Sequence, residues 1–207
     1  TSLAQVFTHT GDGLVLRGRP FEWDDPRRSP HLTEEGALNL LQDALALYRR
    51  HTQSSPQRVV VHKSSRYWDE ELDGFREALR GIPFWDLVAF GKRKIQFLRQ
   101  GDYPPLRGTW VRFADDNFLL YTRGYVPYLR TYPGMRVPQP LEILEHFGTS
   151  PPDLVLRETL ALTKMNWNTA DFSCEEPITL AFARRVGEIL AELPEHIPPH
   201  TEYRFYM

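Results

Sequence analysis

Residues 162–193 read LTKMNWNTADFSCEEPITLAFARRVGEILAEL, and the division of this stretch decides the fold. Its first half follows the apolar run DLVLRETLAL and places Lys164, Asn166 and Asn168 at the end of a helix. Its second half opens on Pro177, which suits a first helical turn because proline has no N–H to satisfy there. Ile178, Phe182, Val186, Ile189 and Leu193 then recur at helical spacing, with Arg184, Glu188 and Glu192 on the opposite face. The spacing predicts two helices meeting at a polar elbow that contains Thr163, Lys164, Asn166 and Asn168. An ammonium and amides at such an elbow suit a sugar–phosphate backbone. The same spacing also describes an ordinary amphipathic helix pair joined by a polar loop.

Working outward, the 207 residues suffice for one real core or two small ones. Apolar residues make up 41% and charged residues 25%, the balance of a soluble globular protein. No apolar run is long enough to span a membrane. The opening TSLAQVFTHTGDG has neither the basic start nor the apolar segment of a signal peptide. One cysteine, Cys174, excludes an internal disulfide and points to a reducing, cytoplasmic setting. A net charge of −2 excludes binding of nucleic acid by bulk positive charge. The cations are nonetheless clustered: Lys92, Arg93, Lys94 and Arg99, then Arg107, Arg112, Arg123 and Arg130.

In chain order, Ala4–Thr8 and Leu14–Gly18 are β-prone runs separated by GDG, a hairpin signal. A Pro- and charge-rich connection follows, and Thr33 is the expected N-cap of a helix over Glu34–Arg50. RVVVHK, Arg58–Lys63, reads as a central strand buried on both faces. A helix over about Glu70–Leu79 and strands at Asp86–Phe90 and Ile95–Leu98 come next. Thr109–Phe113 and Phe118–Thr122 alternate as strands around a turn at Ala114–Asn117, and VPQPLEIL reads as the start of a short helix or a turn. A hairpin followed by helix, strand, helix and strand predicts an α/β layered fold, with one domain over residues 1–207. No Ser-His-Asp order, HExxH, zinc-finger cysteine pair or P-loop is present. His62 stands at the end of RVVVHK, where Asp69 or Glu71 could reach it; a lone histidine there is ordinarily structural.

LTKMNWN, a short acidic loop and PITLAFARRVG together resemble the C-terminal part of the PIWI domain of prokaryotic Argonaute proteins. RVVVHKSSRYWDEELDGFREAL, LLYTRG with the following YPGMRVPQPL, and the closing HTEYRFYM extend the resemblance over almost the whole chain. The order and spacing of these segments carry it, since none is a universal signature. The resemblance implies an RNase H-like fold with a mixed central sheet flanked by helices. It places that fold's first strand, which carries the first metal-binding Asp, upstream of Thr1. It also implies guide and target nucleic acids (RNA or DNA) as ligands, a MID domain of the same protein gripping the guide's 5′ phosphate, and an effector protein as a further partner in prokaryotic defence.

Catalytic PIWI domains hydrolyse the target phosphodiester with divalent metals held by carboxylates. The resemblance sets Ser64 at the position of the second metal-binding Asp and Arg184 at that of the last ligand. A neutral hydroxyl anchors Mg²⁺ poorly and a guanidinium repels it, so both positions read as degenerate and no catalytic metal is expected. Glu22, Asp24 or Asp25 falls near the family's glutamate finger. For nucleic-acid contact the resemblance points to Lys63 and Arg66, to Tyr121, Thr122 and Arg123, and to Thr163, Lys164, Asn166 and Asn168. If Met207 ends the native chain, its carboxylate is placed to help hold a structural Mg²⁺ at the guide 5′ phosphate. Two other readings stay open: an active metal-dependent guided endonuclease with an altered ligand set, and a protein-interaction module of RNase H-like fold.

Overall fold

Thr8, Thr10 and Asp12 close the first turn. Gly11 takes φ +91°, a left-handed value that glycine adopts without strain, and its N–H donates to the Thr8 carbonyl at 3.0 Å. The turn joins β1 (Leu3–Phe7) to β2 (Gly13–Arg17) as the expected antiparallel hairpin. The structure is a computed structural model, and it describes residues 2–8, 10–19, 31–115, 117–166, 168–194 and 197–206. Most of the connection after β2 therefore lies outside the described residues. The chain divides into two compact units.

The first unit comprises Thr1–Val59, Tyr67–Trp85 and Phe182–Met207. Helix α1 (Glu34–Thr52) starts at Thr33, whose hydroxyl accepts the Gly36 N–H at 3.1 Å. Helix α2 (Asp69–Ala78) starts with the buried Glu71 carboxylate accepting the N–H groups of Trp68 at 3.0 Å and Leu32 at 2.9 Å. The two helices approach so closely at Gly74 that a Cβ there would lie 2.2 Å from the Glu34 carbonyl oxygen. Val15 on β2 packs with Val186 and Leu190 of α4 (Ile178–Glu192), and Tyr203 and Tyr206 close over them. The Arg17 guanidinium donates to the carbonyls of Leu190, Leu193 and Pro194 at 2.8, 3.1 and 3.2 Å, satisfying orphan acceptors at the end of α4.

The second unit comprises Val60–Arg66 and Asp86–Ala181. Its framework is a five-stranded sheet in the order β3 (Arg58–Lys63), β4 (Phe84–Lys92), β7 (Leu141–Gly148), β6 (Asn117–Leu120) and β5 (Trp110–Ala114). β4, β7, β6 and β5 pair antiparallel in turn. Val88, Phe90, Phe118, Leu120, Leu141 and Ile143 form one face, and Val155 and Leu156 of α3 (Pro152–Leu162) cover it with Leu180. The α/β class and the mixed sheet flanked by helices are those expected from the sequence. Among the described residues no helix is long and apolar enough to cross a membrane.

Three expectations are corrected. RVVVHK forms β3, but at the edge of the sheet, and Val60 is 37% exposed. A continuous apolar run signals burial of the strand's faces and says nothing of its edges. Ile95–Leu98 is not a strand: the Phe97 N–H goes to the Tyr121 hydroxyl at 2.8 Å instead of a ladder. VPQPLEIL does not begin a helix; Leu141 opens β7, which lies in the middle of the sheet. Pro138 and Pro140 mark the strand's entrance, where missing N–H donors cost nothing.

Candidate nucleic-acid interface

Helix α3 ends at Thr163 through a side-chain lock. The buried Thr163 hydroxyl donates to the Leu160 carbonyl at 2.7 Å. One Arg107 amino group donates to that carbonyl at 2.9 Å and to the Thr163 hydroxyl oxygen at 2.7 Å. A cation at this end also complements the helix dipole. Partial burial holds the Arg107 guanidinium below its ordinary pKa. The chain then turns into the elbow foreseen in the sequence. The Cys174 N–H returns to the Thr163 carbonyl at 2.8 Å, the Asn166 amide donates to the Cys174 sulfur at 3.5 Å, and the Asn168 N–H donates to the Asn166 side-chain oxygen at 3.1 Å. Lys164 is exposed, with its ammonium 4.4 Å from the centre of the Phe172 ring.

The end of β6 is built into the same elbow. The Thr122 hydroxyl donates to the Glu175 carbonyl at 2.6 Å, and Ser173 returns a hydroxyl bond to the Thr122 carbonyl at 3.3 Å. Arg123 donates to the Ser173 carbonyl at 3.1 Å and faces the carboxylates of Asp171 and Glu175 at 3.4 and 3.5 Å. The structure thus brings Tyr121–Arg123 together with Thr163–Asn168, a juxtaposition the sequence reading did not contain. It corrects the roles within that group. Tyr121, Thr122 and Thr163 are fully buried and bonded internally, so their side chains support the elbow and do not face a ligand. Residues with β-branched or aromatic side chains on a strand end are easily read as surface contacts when their partners are distant in sequence.

Lys63 and Arg66 stand apart from this group, just past β3. The Lys63 ammonium donates to the Arg66 carbonyl at 3.0 Å, and Arg66 pairs with Glu145 of β7 at 2.7 Å. His62 lies 2.7 Å from the Thr179 hydroxyl and sets its ring edge-on to Phe90 at 4.9 Å, a structural placement. Sequence reasoning named Arg107 only as one of the clustered cations and missed Phe172. Arg107 had a signal in its place among clustered arginines; Phe172, inside an acidic loop, had none.

No protein-family model matches the chain. It is 19% identical over 180 residues to the Argonaute protein of Aquifex aeolicus, covering 86% of this chain and 24% of that one. A crystal structure of A. aeolicus Argonaute superposes with a TM-score of 0.67 at 17% identity, over 98% of this chain and 27% of that one. The chain has the fold of the matching part of these Argonautes. A structure of Clostridium butyricum Argonaute bound to a guide DNA and a 19-mer target DNA superposes with a TM-score of 0.64 at 17% identity, over 96% of this chain and 27% of that one. The chain therefore spans about a quarter of the length of these Argonautes.

Within the Argonaute fold, Ser64 is exposed after β3 and Arg184 is exposed on α4. Among the described residues no three His, Cys, Asp or Glu side chains are grouped so as to hold a metal ion. Glu22, Asp24, Asp25 and Met207 lie outside the described residues.

Proposed function

We propose that this chain is the PIWI part of an Argonaute that holds a guide strand paired to a target without cutting it. One observation carries the reading: an exposed lysine stands on an elbow that internal hydrogen bonds fix in place, within a fold shared with Argonautes. The guide-bound state of the C. butyricum protein supports nucleic acid as the ligand. Lys164 neutralises a guide phosphate, Asn166 and Asn168 donate to neighbouring backbone oxygens, and Arg66 contributes once released from Glu145. Affinity comes from sugar–phosphate contacts and sequence from pairing between the two strands. A MID domain of the same protein grips the guide's 5′ phosphate. Recognition serves prokaryotic defence, with any cutting or toxic activity in a partner protein. The structural Mg²⁺ expected beside the guide phosphate is assigned no ligand among the described residues, since Met207 lies outside them.

The test is guide affinity across a salt series. Lys164→Ala weakens binding to guides of different sequence by similar factors, because a phosphate contact carries no base information. It also flattens the dependence of log K on log salt by roughly one unit or somewhat less. Asn166→Ala weakens binding with little change of slope, since it removes a hydrogen bond and no charge. If Lys164→Ala leaves affinity and slope untouched, the elbow is a structural loop and the reading fails.

A further inference from the structure

Beside the elbow stands an exposed aromatic side chain. Tyr128 lies on the single 3-10 turn Pro127–Leu129 and is 71% exposed. Its backbone is firmly set. Pro127 fixes φ at the start of the turn. The Leu129 N–H donates to the Val126 carbonyl at 3.1 Å, and the Arg130 N–H to the Pro127 carbonyl at 3.0 Å. The Val126 N–H closes the base of the loop on the Thr131 carbonyl at 2.9 Å. Arg130 ends the turn at φ 51°, a left-handed value uncommon for a residue with a side chain. A large ring held out in solvent on so fixed a support contributes little apolar burial to the fold.

The ring has a particular neighbour. Its centroid lies 6.1 Å from that of Phe172, tilted by 55°, and Phe172 carries the Lys164 ammonium 4.4 Å from its centre. Cation, half-buried ring and exposed ring follow one another. Strand-binding proteins use this combination: a cation that tracks the backbone, and beside it an aromatic face on which a base stacks. A base takes such a face only if its own face is free, so a nucleotide stacked within a duplex is excluded.

We propose that Tyr128 is a stacking platform for an unpaired nucleobase whose backbone passes Lys164. The assignment rests on the nucleic-acid reading above and deepens it, placing one nucleotide of the bound strand outside the guide–target duplex. Every base has a π face, so the platform accepts bases broadly, with purines stacking over more area than pyrimidines.

The test uses single-stranded oligothymidine carrying one 2-aminopurine, in deoxy and ribo forms, titrated into the complete chain. Stacking quenches 2-aminopurine, so moving the probe along the strand locates the platform as a quench at one position. Tyr128→Ala abolishes the quench and weakens binding about tenfold, as expected for one base–aromatic stack. It leaves the salt slope unchanged, which separates it from Lys164→Ala. Tyr128→Phe retains both quench and affinity, because the ring and not the hydroxyl is used. If Tyr128→Ala binds and quenches like the parent, the platform is wrong while the backbone reading stands on its own salt series. If the parent chain binds neither form of the oligonucleotide, the reading beneath it fails as well. If Tyr128→Ala lowers the urea midpoint, the ring is structural and the platform is overturned.

Discussion

Arg93 sits in the most basic run of the sequence, yet its geometry makes it a structural residue. Its guanidinium meets the Glu142 carboxylate at 2.6 Å and lies over the Phe113 ring at 4.5 Å. Glu142 is 3% exposed on the middle strand β7, opposite Gly91 on one side and Leu119 on the other. Its other neutralising contact is the Asn117 amide at 2.9 Å. Arg93→Met therefore strands a buried carboxylate with a single neutral donor. Removing one partner of a fully buried pair costs about 3–5 kcal/mol. The Arg93 side chain is 34% exposed, so solvent already screens part of the attraction, and the expected loss is about 2–3 kcal/mol. Glu142→Gln costs less, about 1 kcal/mol, because the partly exposed guanidinium can turn to water. In the double variant the two changes fall short of additivity by about 1–2 kcal/mol. Urea unfolding reads these values as midpoint shifts at constant slope. A loss below about 0.5 kcal/mol for Arg93→Met, or strict additivity, would show a screened surface pair and refute the reasoning.

Two further predictions follow from the elbow and from the nuclease positions. Arg107→Ala removes both guanidinium bonds at the end of α3 and destabilises the chain by about 2–3 kcal/mol, with guide affinity falling at an unchanged salt slope because Arg107 touches no phosphate; a flattened slope would make Arg107 a direct contact instead. On the proposed reading, in which the resemblance sets Ser64 and Arg184 at two metal-binding positions, the chain leaves a guide-matched target uncut in Mg²⁺ or Mn²⁺, measured on a labelled target, and any product of guide-defined length overturns that account.

What could be read from the sequence was local. Thr33 before an acidic helix start, GDG between β-prone runs and Pro177 before an amphipathic stripe each appear in the structure as the chemistry of those residues requires. The elbow was legible because a cation and amides interrupt an apolar period. What failed depended on partners far along the chain. β7 was concealed by two prolines, although Leu141 and Ile143 flank Glu142 at strand spacing. The edge position of β3 could not be read from RVVVHK, since strand order is a property of other segments. Tyr121 and Thr122 lie in a segment that resembles a nucleic-acid-facing loop, and such a likeness carries no burial: their hydrogen-bond partners, Phe97 and Glu175, stand 24 and 53 positions away.

These corrections change how the interface must work. Of the cations singled out, Arg66 and Arg123 face carboxylates and Arg107 is committed to the end of α3, whereas Lys164 faces a ring. A cation already paired with a carboxylate gains little from a phosphate, because it exchanges one anion for another. On the reading proposed above, Lys164 carries an electrostatic part of the binding. The number of phosphates neutralised sets the salt dependence, so the chain by itself has a shallow slope, on the order of one or two units. A steep slope would mean that Arg66 and Arg123 leave Glu145, Asp171 and Glu175 on binding. Glu145→Gln and the double change Asp171→Asn with Glu175→Gln distinguish the two cases: if the arginines are released, these variants bind more tightly, since no carboxylate competes with the phosphate. If affinity is unchanged in both, the arginines are fixed parts of the scaffold and Lys164 is the residue on which the backbone rests.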